Sequence, residues 1–425
     1  MEYNEYLLNK RDYQDVGHTL LLERKHACLF YEPGKGKTYP CIDAIRDIDK
    51  AKHGAKVLIL STSDSIKNMW NSEIVPQDIL PKDTVLMSFT AAIQDATKPK
   101  LLKIKWDIIV IDECHKVKSN SSKISKLVYQ LSKKAEYCFG LTGTPRGNCD
   151  IDIFNQFHNM NVGDWGHISY TQFIDTCCDI DQKFFGRQMV KIPIGINHRY
   201  QAGWERNIAM FTQRVTYDVE DDMPDIQENL VEFPYEPTEE YKKAEDGVVC
   251  IPEYETTMTK LAAIQKCHQA ANGFLYILDE DGNKKVHRFS DNLKVQWLRE
   301  NIVNEKVVVV YRFEEDKNYI LKQLENDYSF TENINDFKHG DYDVLLLQCS
   351  RCESFNLQMC NRIIFFTLDY SYIKYKQMLH RVFRKGQEKD VKLDILVFKN
   401  TIEIKIWYTV KNKKMLADLF MSMKE

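Results

Sequence analysis

Short runs of consecutive apolar residues alternate with stretches of helical spacing through the first 150 residues of the chain. We predict a strand for each of five such runs: 27–31, 56–60, 83–89, 106–111 and 137–141. The run at 106–111 is apolar on both faces, as is typical of a central strand in a parallel sheet that helices cover on both sides. The alternation of strand and helix predicts an α/β lobe with a doubly wound parallel sheet.

The same pattern returns in the second half of the chain. We predict a helix at 316–324 and strands at 306–311, 341–347, 361–366 and 391–397. The chain is therefore expected to have an α/β fold with two similar parallel-sheet lobes.

The region between the two patterns is less regular. Residues 151–217 are expected to be a mainly helical and irregular addition to the first lobe. Residues 218–255 contain four prolines and many acidic residues, and we predict that they connect the lobes. The expected domains are an N-terminal lobe at 1–217, an acidic connection at 218–255 and a C-terminal lobe at 256–425.

Composition excludes several classes of protein. Hydrophobic residues make up 44% of the chain and charged residues 28%, as in ordinary globular proteins. No apolar run approaches the roughly 18 residues needed to cross a bilayer, so no membrane partner is expected. The N-terminus is acidic and lacks the pattern of a signal peptide. We therefore expect a cytoplasmic protein with its twelve cysteines as reduced thiols.

Charge is unevenly distributed, although the formal net charge is only −4. Residues 218–255 hold fourteen acidic residues against two lysines, whereas residues 371–425 hold thirteen basic residues against six acidic ones. A basic C-terminal face is suited to holding a phosphate backbone, but a solvated helix surface explains the same charges equally well. Both interpretations stay open at this point.

The first candidate site is a glycine-rich turn between a predicted strand and a predicted helix. Gly34, Lys35 and Gly36 form a turn whose backbone N–H groups are able to converge on phosphate oxygens. Lys37 places an ammonium on the β- and γ-phosphates, and the Thr38 hydroxyl is a candidate ligand of Mg²⁺. A helix that starts near Lys37 adds its positive end to this anion site.

An acidic pair follows the strand at 106–111. Asp112 is a candidate for holding Mg²⁺, and Glu113 for orienting and deprotonating the attacking water. His115 is expected to link the nucleotide site to the cleft between the lobes rather than to bind metal. The hydroxyls of the turn at 142–145 lie at the end of the next strand and are candidates for the same coupling.

Three further groups of residues are candidates for contact with the nucleotide. Gln14 precedes the glycine-rich turn and carries an amide that is able to read an adenine edge. Arg381 and Arg384 are three residues apart, so on a helix they share a face and are suited to act as arginine fingers on a γ-phosphate. Gln377 lies one turn before Arg381 on the same predicted helix.

Taken together, these motifs resemble those of the superfamily-two helicase-fold ATPases, and most closely the compact Swi/Snf-type double-stranded DNA translocases. The chain carries GKGKT, DECH, LTGTP and QMLHRVFRKGQ in the order of that family. Finer marks of the Swi/Snf branch are Trp70, Glu73, 118–120, Asn148 and 401–403. The chain is similar to the stand-alone forms carried by phages and bacteria, and a phage-encoded form is expected in the host-cell cytoplasm.

The resemblance implies two RecA-like lobes with a nucleotide cleft between them, ATP and Mg²⁺ as ligands, and the roles given above for the phosphate loop, the acidic pair, Gln14, Gln377 and the arginines. It implies a monomeric ATP hydrolase that moves on double-stranded DNA and remodels DNA structures or bound proteins, with single-stranded DNA and RNA as open alternatives. It also implies a set of nucleic-acid contacts: Ser61, Thr62, Ser88, Ser350 and Asn356.

One loop departs from the family pattern. The family has a glycine-rich turn before an Asn-Leu pair, whereas residues 350–357 contain no glycine and include Glu353, which a DNA phosphate repels. This loop is the only support for one alternative to the translocase, a slowly hydrolysing, ATP-gated DNA clamp. The other alternative is a strand-separating helicase, which needs a wedge element that the sequence does not show.

Two groups of cysteines are expected to be buried thiols rather than ligands. Cys349 and Cys352 form a CxxC near Cys360, but no fourth ligand has zinc spacing. Cys177 and Cys178 are adjacent and are expected in the core.

Overall fold

The computed structural model describes the chain in eleven segments. These are residues 2–119, 121–145, 151–185, 188–216, 224–251, 254–257, 260–278, 283–302, 305–351, 355–384 and 386–412. The chain divides into two compact units, residues 1–221 and 222–425. No helix in these segments is both long and apolar enough to cross a membrane.

The first unit alternates strands and helices. Its strands are β1 (His26–Tyr31), β2 (Val57–Ser61), β3 (Thr84–Ser88), β4 (Ile108–Asp112), β5 (Tyr137–Leu141), β6 (Cys178–Phe185), β7 (Gln188–Ile196) and β8 (Thr212–Val215). Its α-helices are α1 (Tyr3–Leu8), α2 (Asp12–Arg24), α3 (Thr38–Lys52), α4 (Ser63–Ser65), α5 (Phe89–Ala92), α6 (Lys98–Lys103), α7 (Lys123–Ser132), α8 (Ile151–Asn159), α9 (Tyr170–Cys177) and α10 (His198–Phe211). A nine-residue π-helix, Ile66–Ile74, follows α4 directly.

Six parallel strands form the first sheet, in the order β3-β2-β4-β5-β1-β8. Successive residues of β4 point to opposite faces, so Ile109 and Ile111 join one apolar cluster while Ile108 and Val110 join the other. Both faces are therefore covered, which confirms the predicted α/β lobe with a doubly wound parallel sheet.

The second unit has the same layered architecture. Its strands are β9 (Ile226–Phe233), β10 (Val248–Ile251), β11 (Tyr254–Thr257), β12 (Phe274–Leu278), β13 (Lys284–Arg288), β14 (Val307–Tyr311), β15 (Phe330–Thr331), β16 (Val344–Gln348), β17 (Arg362–Phe365) and β18 (Val391–Phe398). Its α-helices are α11 (Glu239–Glu245), α12 (Lys260–Ala271), α13 (Leu293–Asn301), α14 (Glu314–Leu324), α15 (Ile334–His339), α16 (Tyr372–Val382) and α17 (Ile402–Lys411).

The second sheet is also parallel throughout, with six strands in the order β15-β16-β14-β17-β18-β9. Along β14, Val308 and Val310 pack into one cluster, and Val307 and Val309 pack into another on the opposite face. The predicted second α/β lobe is confirmed.

Residues 151–217 differ from the expectation of a mainly helical addition. They contain α8, α9 and α10, but also an antiparallel hairpin formed by β6 and β7. Strand β8 then pairs with β1, with Cys28 opposite Thr212, and completes the edge of the first sheet. The segment therefore builds part of the sheet itself.

Residues 218–255 also contain more than a connection. Strand β9 pairs with β18 along its whole length, from Val391 opposite Ile226 to Phe398 opposite Phe233. Helix α11 follows and buries Tyr241 and Ala244. From Ile226 onward, this acidic segment is an integral part of the second unit.

Candidate nucleotide site

The glycine-rich turn lies between β1 and α3. Gly34 and Gly36 adopt positive φ angles of 87° and 69°, which favour glycine because a Cβ atom is strained there. Helix α3 begins at Thr38, immediately after Lys37. The turn and the positive end of the helix dipole therefore meet where a phosphate binds in such loops.

Two side chains at the start of α2 donate hydrogen bonds to the backbone of this turn. The Tyr13 hydroxyl donates to the carbonyl of Lys35 at 3.1 Å, and Gln14 Nε2 donates to the carbonyl of Gly36 at 3.3 Å. Gln14 Oε1 accepts from the N–H of Arg11 at 3.0 Å. The Gln14 amide thus supports the phosphate loop, and its reading of an adenine edge stays a prediction.

The turn after β5 packs closely against the same loop. A Cβ atom at Gly143 would lie 2.8 Å from Cδ of Pro33 and 3.0 Å from the carbonyl oxygen of Tyr31. Only glycine allows this approach, so the TGTP turn and the phosphate loop are packed as one surface.

Asp112 ends β4 and lies fully buried beside that surface. Its Oδ2 atom accepts three hydrogen bonds: from Ser61 Oγ at 2.8 Å, from Ser65 Oγ at 2.9 Å and from Trp70 Nε1 at 3.2 Å. None of the residues in the described segments bonds its other oxygen, Oδ1. The carboxylate is thus fixed through one oxygen.

The charges around Asp112 act in opposite directions. Burial raises the pKa of Asp112, and the adjacent Glu113 raises it further, while Lys37 and the hydrogen bonds to Oδ2 lower it. The balance lies above the ordinary value. A cation bound at this carboxylate would favour its charged form.

Glu113 links the acidic pair to the phosphate loop. Its backbone is left-handed, with φ 56° and ψ 51°, a strained conformation for a residue with a Cβ atom. Its Oε1 atom lies 3.9 Å from Nζ of Lys37, and its Oε2 atom lies 3.2 Å from Nδ1 of His115. His115 Nδ1 also lies 3.0 Å from Oγ1 of Thr142, so the acidic box contacts the TGTP turn.

The hydroxyls expected to contact nucleic acid in the first unit fall into two groups. Ser61 is fully buried, and its hydroxyl is committed to Asp112, so the predicted nucleic-acid contact of Ser61 is corrected to a supporting role at the nucleotide site. Thr62 and Ser88 are half-buried and accept hydrogen bonds from the N–H groups of Ser65 and Ala91, both at 3.2 Å. They remain candidates at the carboxyl ends of β2 and β3.

In the second unit, Gln377 and Arg381 are buried residues of α16. Arg381 donates through Nη1 to the carbonyl of Phe355 at 3.3 Å. The helix ends at Val382, and the following residue is extended, so Arg384 does not share a helix face with Arg381. This corrects the prediction of two arginines on one helical face.

The loop that departs from the family pattern is only partly described. Ser350 is exposed and donates to Oε1 of Gln348 at 2.8 Å, and Oδ1 of Asn356 accepts from the N–H of Gln358 at 3.0 Å. The predictions for Cys352 and Glu353 lie outside the described residues, as do those for Asn120 and Asn148. Both Ser350 and Asn356 remain candidates.

The expectation of buried thiols agrees with the cysteines that the structure describes. Cys349, Cys360 and Cys178 are buried, and Cys177 is half-buried. No cluster of three or more His, Cys, Asp or Glu side chains suited to a metal ion occurs in the described segments.

The acidic segment 218–255 and the basic region 371–425 meet in the second sheet, because β9 lies beside β18. Lys399 Nζ lies 3.4 Å from Glu232, and Lys411 forms an ion pair with Glu228. Part of the basic C-terminal charge is therefore neutralised by the acidic segment, which weakens the case for one basic face.

Reasoning from sequence missed the supporting residues of the site. Trp70 was noted only as a family mark, and Ser65 and Tyr13 carried no separate expectation. Their roles depend on the approach of segments that are distant in sequence.

Known proteins match this chain at two levels: a family model matches one part of it, and individual relatives align with most of it. A family model described as the SNF2-related domain matches residues 76–183. The protein from Bacillus subtilis (strain 168) named uncharacterized ATP-dependent helicase YqhH is 24% identical over 413 residues, which cover 89% of this chain and 73% of that protein.

A second relative is the Drosophila melanogaster SWI/SNF-related matrix-associated actin-dependent regulator of chromatin subfamily A-like protein 1. It is 22% identical over 90% of this chain, which spans 52% of the fly protein. Among solved structures, the Sulfolobus solfataricus SWI2/SNF2 ATPase core in complex with dsDNA is 20% identical, with a TM-score of 0.41 and coverage of 95% of this chain and 90% of that one.

Proposed function

We propose that the chain is an SNF2-related ATPase of superfamily two, an ATP-driven motor that translocates on double-stranded DNA and remodels DNA structures or bound proteins. One observation carries the proposal. The phosphate-loop Lys37 lies 3.9 Å from Glu113, at the sheet edge where Asp112 is fixed by three hydrogen bonds. A cation for phosphate, a base for water and a candidate metal ligand are therefore brought together by one fold.

The phosphate loop supplies the binding part of this function. In the proposal, the N–H groups of 34–38 and the Lys37 ammonium hold the triphosphate of ATP. Glu113 orients the attacking water and accepts its proton. Oε2 of Glu113 and the hydroxyl of Thr142 both lie within 3.2 Å of Nδ1 of His115, so the imidazole places the base beside the TGTP turn.

The residues present fit a magnesium ion. Mg²⁺ prefers oxygen ligands and is usually bound through one or two carboxylates plus substrate phosphates. Oδ1 of Asp112 and the hydroxyl of Thr38 are oxygen donors, and we propose them as its protein ligands. When bound, the ion neutralises charge that develops on the phosphates.

The remaining nucleotide contacts are proposals from the family pattern. Arg381 and Arg384 are proposed to stabilise charge on the γ-phosphate, and Gln377 and Gln14 to complete the ATP site. The buried position of Arg381 and its bond to Phe355 favour an additional role in holding the 355–358 loop.

Double-stranded DNA is the proposed track. Thr62, Ser88, Ser350 and Asn356 are proposed to contact its backbone with hydroxyl and amide groups, which bind phosphate and sugar without reading sequence. Single-stranded DNA or RNA as the track is an outcome that the following experiment distinguishes. We propose that the motor acts as a monomer.

The proposal is tested by steady-state ATPase activity of the intact chain without nucleic acid and with single-stranded DNA, duplex DNA or RNA. Glu113→Gln removes the base while keeping side-chain shape, and we expect at least a hundredfold loss of turnover. Glu136→Gln, a change of the same kind at an exposed ion pair, is the matched control and should keep wild-type activity.

Strong stimulation by duplex DNA that Glu113→Gln abolishes supports the translocase, and displacement of a third strand from a triplex then measures movement. Stimulation by single strands alone contradicts the duplex track and favours strand separation. A rate equal to that of Glu113→Gln under all four conditions overturns the motor and leaves a nucleotide-gated clamp.

A further inference from the structure

Three hydrogen-bond donors converge on one oxygen of Asp112. Ser61, Ser65 and Trp70 all contact Oδ2, at 2.8, 2.9 and 3.2 Å, and all three side chains are at most 1% exposed. A carboxylate oxygen that accepts three hydrogen bonds has little capacity for a further ligand. The same bonds fix the rotation of the carboxylate, so Oδ1 has one direction in which to face.

The donors come from one continuous segment, which runs from the end of β2 through α4 into the π-helix Ile66–Ile74. The backbone N–H of Val75 bonds the carbonyl of Trp70, in the i→i+5 pattern of a π-helix. Such wide turns are rare in proteins overall, and those that occur are often found at functional sites. Here the wide turn contains the indole that donates to Asp112.

Trp70 differs from the two serines in what it is able to do. A serine hydroxyl rotates and both donates and accepts, so each serine has alternatives to its bond with Asp112. The indole N–H only donates, and the Trp70 ring is fully buried, so its direction is fixed by packing. Among the three donors, Trp70 is therefore the one that holds the carboxylate rigidly.

We propose that Trp70, supported by Ser61 and Ser65, is a positioning residue that saturates Oδ2 of Asp112 and thereby presents Oδ1 to magnesium. The inference rests on the proposed function, because it assigns these residues to the metal of the same ATP site. Outer hydrogen-bond partners of this kind orient metal-binding carboxylates, and their loss typically costs about 10- to 100-fold in metal affinity. If the three hydrogen bonds only offset the cost of burying Asp112, their loss would lower the stability of the fold and leave the affinity for metal unchanged.

The test compares the affinity of the intact chain for a fluorescent ATP analogue with and without Mg²⁺, in the absence of nucleic acid. Trp70→Phe keeps an aromatic ring and removes the N–H donor. Trp106→Phe is the matched control, because the buried Trp106 donates to the carbonyl of Leu101 at 3.0 Å, away from Asp112. Ser65→Ala removes a second donor with a smaller change in packing.

We expect Trp70→Phe to reduce the gain in affinity that Mg²⁺ provides by about tenfold, while metal-free affinity stays within about twofold of wild type. Ser65→Ala should show a smaller loss of the same kind, and Trp106→Phe no change in the gain. In magnesium titrations at a fixed analogue concentration, the midpoint should shift to a higher Mg²⁺ concentration in Trp70→Phe. It should not shift in Trp106→Phe.

The inference is overturned if Trp70→Phe and Ser65→Ala both keep the wild-type gain, or if either lowers affinity equally with and without metal. If Trp70→Phe does not fold, Ser65→Ala alone decides. A wild-type chain whose nucleotide affinity does not depend on Mg²⁺ contradicts the proposed metal-dependent ATPase itself, so the two failures are distinguishable.

Discussion

Asp316 and Glu403 are buried carboxylates of the second unit with opposite pKa shifts. Burial raises the pKa of Glu403, but the charge of Lys294 at 2.7 Å and a bond with His268 lower it to about 2. Asp316 accepts hydrogen bonds from neutral donors, the Thr367 hydroxyl and the N–H of Phe313, and burial dominates, which raises its pKa to about 6. The difference follows from whether a cation is within contact distance.

The raised pKa of Asp316 predicts a stability change between about pH 4 and 6. The folded state binds the proton more tightly than the unfolded chain, whose Asp pKa is about 3.9, so the free energy of unfolding falls as pH rises through this window. The ionised carboxylate should cost about 2–3 kcal/mol at pH 7. Asp316→Asn keeps an acceptor for both donors without a charge, so its stability relative to wild type should increase from pH 4.5 to 7.5.

Urea unfolding of wild type, Asp316→Asn and the exposed control Asp95→Asn at several pH values measures this difference. Asp95→Asn accounts for the loss of one charge alone. A stability difference between Asp316→Asn and wild type that is constant with pH would show that Asp316 does not titrate in this window.

At the scale of elements, β9 is the clearest case of a polar segment recruited into a sheet. Its first four residues are exposed, yet it pairs with β18 over eight positions and places Phe233 against Phe398, with ring centroids 5.8 Å apart. Without β9, the backbone groups along one edge of β18 would lose their partners, and an open strand edge favours aggregation.

This pairing predicts different behaviour for two fragments of the second unit. Residues 222–425 contain β9 and α11, and they should fold with a cooperative thermal transition. Residues 256–425, which begin after the acidic segment, should lack cooperative unfolding or aggregate, because β18 becomes an open edge. Circular dichroism and size-exclusion chromatography measure both properties, and equal cooperativity of the two fragments would show that the acidic segment is only a connection.

On the scale of the whole molecule, ion pairs inside the second unit neutralise part of the charge asymmetry of the sequence. The acidic strand β9 and the basic region after residue 371 are distant in sequence and adjacent in the sheet, so Glu228 and Glu232 pair with Lys411 and Lys399. These pairs neutralise part of the basic region, which argues against one continuous basic face in the second unit.

This arrangement predicts that the paired lysines contribute little to DNA binding. The double variant Lys399→Gln, Lys411→Gln should bind duplex DNA within about twofold of wild type, because each lysine already contacts a carboxylate and exposed ion pairs contribute little to stability. Fluorescence anisotropy with labelled duplex at two salt concentrations measures the affinity and its salt slope. A tenfold loss with a smaller slope would instead support a basic face that holds the phosphate backbone.

The sequence by itself determined the apolar strands of the two sheets, the two α/β lobes and the motifs at the strand ends. Buried parallel strands are long apolar runs, and phosphate loops and acidic boxes are local patterns of glycine and charge. For this reason the runs at 106–111 and 137–141 and the start of α3 at Thr38 were predicted closely. These features depend on residues that are neighbours in the chain.

Only the tertiary structure decided which distant segments share an edge or a carboxylate. Strands β8 and β9 are too polar to be recognised as strands alone, and they form because an existing sheet offers them an edge. Ser65 of α4 and Trp70 of the π-helix donate to Asp112 at the end of β4, although both are more than 40 residues away from it in sequence. Arg384 lies outside α16 because the chain leaves the helix at Phe383, which local spacing did not reveal. Long-range packing sets these contacts, and no short pattern encodes it.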